Sequence, residues 1–136
     1  MLASVETAAA EISAAKTAGG LTVYLGVVPA EIVRAQHPRG PQVHGRVPKG
    51  AHEYHIVAAV FDAATNARVT DAKVTAKVSG LGLSGPQKTL EVMKVADTIS
   101  YGAFFNLSPD LYTIRLTIQR PGGQPVAVEF KYDHRR

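Results

Sequence analysis

From Leu21 onward the chain interleaves apolar and polar residues in short runs, the period-two pattern of strands that bury one face. The alternation is clearest where Tyr112, Ile114, Leu116 and Ile118 interleave with Thr113, Arg115, Thr117 and Gln119, and it recurs at Val126, Val128, Phe130 and Tyr132. Such segments predict half-buried antiparallel strands. The same reading places strands at residues 21–28, 54–61, 72–78, 89–95, 99–105, 112–119 and 126–132, seven in all. Turn chemistry separates them: Arg-Pro-Gly-Gly-Gln-Pro at 120–125, an Asp-to-Asn segment at 62–66, and Ser-Pro-Asp at 108–110. Residues 34–51 hold three prolines and three glycines, too many for a regular element, and read as a long loop.

The N-terminal segment differs. Leu2, Val5, Ala9 and Ile12 recur every three or four residues among good helix formers, which predicts a short helix or a tail over residues 1–20, ended by Gly19-Gly20. Seven short, regularly punctuated strands after it predict an all-β chain, an Ig-like antiparallel β-sandwich over residues 21–136.

A length of 136 residues fits one domain with a sizeable core. The absence of cysteine excludes disulfides, thiolate metal sites and thiol catalysis. No run approaches the roughly 18 apolar residues of a membrane span, so the chain is not expected to be membrane-embedded. The N-terminus lacks the basic-then-apolar pattern of an intact signal peptide. Net charge is +4, with most basic residues alternating with apolar ones along strands. The exception is the loop at 34–49, where Arg34, Arg39, Arg46 and Lys49 join His37 and His44 with no acid between Glu31 and Glu53. That loop suits an anion, a phosphate or an acidic partner.

Motifs for catalysis do not hold up. The segment from Gly80 to Gly85 matches G-x-G-x-x-G, but Pro86 would sit inside the helix that a dinucleotide fold requires, and no βαβ repeat follows; it reads as an inter-strand loop. His52-Glu-Tyr-His55 has its histidines three apart, whereas the zinc-protease motif needs four on a helix. No G-x-S-x-G is present, the carboxylates are scattered, and the aromatic residues do not interleave with basic ones as on a nucleic-acid surface. The chain reads as neither an enzyme nor a nucleic-acid binder.

Histidine carries the remaining chemistry. Four of the five, His37, His44, His52 and His55, lie in one stretch, and His134 is near the C-terminus. Imidazole is the commonest protein metal ligand. With the thioether of Met93, and Glu91 on the same strand face, these residues suit a transition metal: imidazole plus thioether favours copper, and imidazole alone Cu(II) or zinc. The expected site draws on His44, His52, His55, Met93 and His134, centred on His52, His55 and Met93.

Five segments carry a resemblance: Val57-Ala-Ala-Val-Phe-Asp62, the run from Arg68 to Thr75, Leu90-Glu-Val-Met93, Ser100-Tyr-Gly102 and the run from Tyr112 to Leu116. Together they resemble the small periplasmic β-sandwiches of the YtkA-like and CopC-like type. The resemblance implies a periplasmic or otherwise exported domain that binds or delivers copper, sometimes beside a membrane or periplasmic protein partner. CopC-like proteins use N-terminal and loop histidines, and some a Met-rich loop; this chain has one internal methionine. The expected function is therefore copper capture or delivery. The alternative is a metal-free scaffold that binds a partner along a sheet edge or through the basic loop at 34–49.

Overall fold

A computed structural model describes residues 12–36, 50–95 and 97–135. Its elements are β1 (Ile12–Ala18), β2 (Leu21–Pro29), α1 (Ala30–Gln36), β3 (Glu53–Asp62), β4 (Lys73–Gly80), β5 (Gln87–Val95), β6 (Thr98–Asn106), β7 (Asp110–Gln119) and β8 (Val126–His134). All strand pairs are antiparallel, in the order β1-β2-β3-β6-β5-β4-β7-β8. The all-β expectation holds, but the architecture is an eight-stranded, nearly closed sheet between sandwich and barrel, not a clear Ig-like sandwich.

Strand β5 turns the corner. Its first half, up to Leu90, pairs with β4, and its second half, from Glu91, pairs with β6. Leu90 enters the main core, whereas Met93 is buried outside it. Residues three apart on a strand point to opposite faces, so one strand serves both sides of the sheet. At the far edges β1 and β8 approach each other without a ladder. Lys16 on β1 donates to the Glu129 carbonyl at 2.6 Å and lies over the Phe130 ring at 5.7 Å, so a charged side chain covers the gap.

The N-terminal expectation is corrected over Ile12–Ala18, which is a strand paired with β2; residues 1–11, with most of the apolar stripe, lie outside the described residues. Gly19 and Gly20, at φ of 55° and 80°, form the two-residue link of a hairpin, where the right-handed strand twist demands positive φ at both central positions. Local spacing suggested a helix, but β2 offers Ile12–Ala18 a ladder, and tertiary pairing outweighs weak helix propensity. The seven-residue α1 was not expected, because two turns are too short to set up a readable period. The segment from Gly80 to Gly85 links antiparallel β4 and β5, with no helix after it.

Candidate metal centre

The site is built on the face of the sheet opposite the core. On β3, Ile56, Ala58 and Val60 point into the core, so alternation turns His55, Val57 and Ala59 outward. On β6, Tyr101 and Phe105 point inward and Ser100, Gly102 and Phe104 outward. Register joins the three strands: His55 is opposite Phe104, Gly102 lies between Val57 and Glu91, and Met93 is opposite Ser100. His55 and Met93 are thus both diagonal neighbours of Gly102, one from each side.

Gly102 has no side chain, and the two neighbours fill that space. A Cβ at this position would lie 2.7 Å from His55 Nε2, 2.9 Å from its Cε1 and 3.0 Å from Met93 Sδ. The imidazole nitrogen and the thioether sulfur therefore meet over one cradle. Their separation is at most the sum of the first and last of those distances, which makes the two atoms neighbours on the outer face.

The surroundings are dry. His55 is 2 % exposed and Met93 9 %. Phe104 stacks on the imidazole, with ring centroids 4.5 Å apart and planes at 29°. Ala30 and Val33 of α1 are buried as well, and α1 packs on β2 and β3. None of these four buried residues belongs to the main core cluster. Low dielectric around the pair strengthens any electrostatic contact made there.

The remaining candidates lie elsewhere. His52 is exposed in the turn before β3, and its carbonyl accepts from Leu107 N at 2.8 Å. It is near His134 at the end of the sheet. His134 is half-buried among Tyr54, Tyr112 and Tyr132, edge-on to Tyr54 at 4.5 Å; its Nδ1 is 2.8 Å from the Tyr132 hydroxyl and its ring also bonds the Leu107 backbone. Burial holds its pKa below the ordinary histidine value; the Leu107 bond works against this, and the nearby His52 adds to it. A single histidine cluster is not seen: the three histidines among the described residues fall at two places. His37 and His44 lie outside the described residues. Among those described, no three His, Asp or Glu side chains group closely enough to hold a metal by themselves.

Gly102 was missed from the sequence, although a glycine inside a strand pattern is a recognised sign of close approach. Phe104 was missed too, since an outward aromatic gives no signal until its partner is known.

No family model matches this sequence, and no curated protein is significantly similar to it. Solved structures share its fold. A copper-bound glutamate-to-glutamine variant of FetP from uropathogenic Escherichia coli superposes with a TM-score of 0.70 at 13 % identity, over 91 % of this chain and 95 % of that one. Copper-reconstituted P19 protein from Campylobacter jejuni gives 0.69 at 14 % identity, over 91 % and 94 %. A DUF4426 family protein from Pseudomonas aeruginosa gives 0.63 at 16 % identity, over 89 % and 93 %. The class defined is a small, nearly closed antiparallel β fold with a buried imidazole–thioether pair on its outer face. No helix among the described residues is long and apolar enough to cross a membrane.

Proposed function

We propose that this protein binds a copper ion through His55 Nε2 and Met93 Sδ, and that it captures or delivers the ion instead of catalysing a reaction. The observation that carries the reading is the convergence of those two atoms on the cradle over Gly102. An imidazole and a thioether suit copper better than zinc, and Cu(I) best. Copper in two proteins of the same fold, FetP and P19, supports the choice of metal. His44 is a further candidate donor from the sequence. His52 and His134 fit less well, because neither supplies one of the atoms nearest the cradle over Gly102. An exported location is part of the same proposal; one FetP structure came from protein expressed in the Escherichia coli periplasm.

In the proposed mechanism Phe104 holds the imidazole plane, Gly102 leaves the space, and the burial of His55 and Met93 limits water. The metal supplies the affinity for nitrogen and sulfur. Competition titrations of the tag-free protein with Cu(I), Cu(II) and Zn(II), beside His55→Ala and Met93→Leu, test this. Tight one-to-one copper binding is expected, weakened by about a hundredfold or more in His55→Ala, since even groups behind a ligand are worth 10- to 100-fold. Copper affinity equal in wild type and His55→Ala overturns it.

A further inference from the structure

Resting on the copper site just proposed, we infer that Glu91 is a third donor and makes the site distinguish the two oxidation states of copper. Glu91 is the direct cross-strand partner of Gly102. Side chains so paired leave the sheet on the same side, with Cβ atoms about 4.5–5.5 Å apart. The point where a Gly102 Cβ would lie is the point on which His55 Nε2 and Met93 Sδ converge. A glutamate reaching from the neighbouring strand can therefore meet the same ion. Glu91 also precedes Met93 by two residues on β5, which puts both on one face. Across Gly102 the other member of this row is Val57, so the row carries a single carboxylate, on the β5 side.

Exposure sorts the three donors. His55 and Met93 are buried, whereas Glu91 is exposed. A soft pair thus lies inside and a hard oxygen donor at the solvent side. Cu(I) is served by nitrogen and sulfur, whereas Cu(II) favours nitrogen and oxygen. His55 is common to both states; Met93 is the second donor for Cu(I) and Glu91 for Cu(II), with water completing the Cu(II) shell from the exposed side. The negative carboxylate also offsets the additional positive charge of Cu(II).

The test uses the intact chain in two separate competition titrations, Cu(II) in air and Cu(I) without oxygen, each against a chelator of known affinity. The variants are Glu91→Gln and Met93→Leu, with His55→Ala as reference. Glu91→Gln is expected to weaken Cu(II) about tenfold or more and leave Cu(I) within about threefold, with Met93→Leu doing the reverse. The paramagnetic resonance spectrum of the Cu(II)-loaded protein shifts in Glu91→Gln but not in Met93→Leu. If Glu91→Gln changes neither Cu(II) affinity nor the spectrum while His55→Ala weakens both states, the role of Glu91 is refuted and the copper site stands. If wild type binds copper no better than scattered surface histidines, both readings fail together.

Discussion

At the scale of single residues, the site depends on a side chain that is absent. Strand interiors disfavour glycine, which packs nothing and costs backbone entropy. Gly102 nevertheless lies in the middle of β6, buried between Val57 and Glu91. Its surroundings explain this, because a methyl group there would meet His55 and Met93 at 2.7–3.0 Å. Gly102→Ala is therefore expected to push the two donors apart and lower copper affinity by about tenfold or more, the scale of a displaced supporting group. Far-UV circular dichroism should stay that of the wild type, as the ladders of β6 with β3 and β5 are made by backbone groups. Unchanged copper affinity in a folded Gly102→Ala protein would show that the cradle is not where the ion is held.

At the scale of elements, links between strands are held by specific polar contacts. The buried Tyr101 of β6 donates from its hydroxyl to the Val69 carbonyl at 2.9 Å and accepts from Ala72 N at 3.2 Å, tying the β3–β4 connection across the core. Burial raises its pKa above the ordinary tyrosine value, so it is a neutral donor under all ordinary conditions. Removing that hydroxyl leaves a carbonyl and an amide without their partner, at a cost of about 1–3 kcal/mol. Tyr101→Phe should lower the unfolding free energy by that amount, read as a lower urea midpoint at an unchanged m-value; a midpoint equal to wild type would mean that water replaces the hydroxyl. The β7–β8 turn was legible in advance: Pro121 precedes Gly122 at φ 72°, and Gly123 N returns to the Arg120 carbonyl at 2.9 Å, a type II turn. The β1–β2 hairpin carried its own Gly-Gly signal, but the signal was assigned to a helix end. Alternation in β1 is masked by alanines, which fit either period.

At the scale of the whole molecule, titrating groups join parts distant in sequence. His134 bonds Tyr132 and the Leu107 backbone at one end of the sheet, and its folded pKa is depressed, chiefly by burial. Below its ordinary value of 6.5 the unfolded chain binds the proton more readily than the folded one. This contribution is present above pH 6.5 and is lost as pH falls through the lower folded value. Asp62 is held below 3.8 mainly by the Arg120 guanidinium, 3.0 Å away, so its contribution is present above that value and is lost in stronger acid. Urea midpoints measured from pH 8 down to 5 should fall in the wild type and fall less in His134→Gln. Parallel curves for the two proteins would remove His134 as the source.

The sequence by itself determined seven of the eight strands, most of their turns and the separation of inside from outside, because alternation and turn residues act over a few neighbours. It also supplied His55 and Met93 as candidate donors, since imidazole and thioether are visible as residue types. Which donors meet was decided only by tertiary structure. His52 and His55 are close in sequence, yet one lies exposed in the turn before β3 and the other is buried on the strand. His55 and Met93 are 38 residues apart in the chain and are joined by the register of β3 and β5 on either side of β6. Register is a property of paired strands, and so is the space over Gly102; neither exists until the sheet forms.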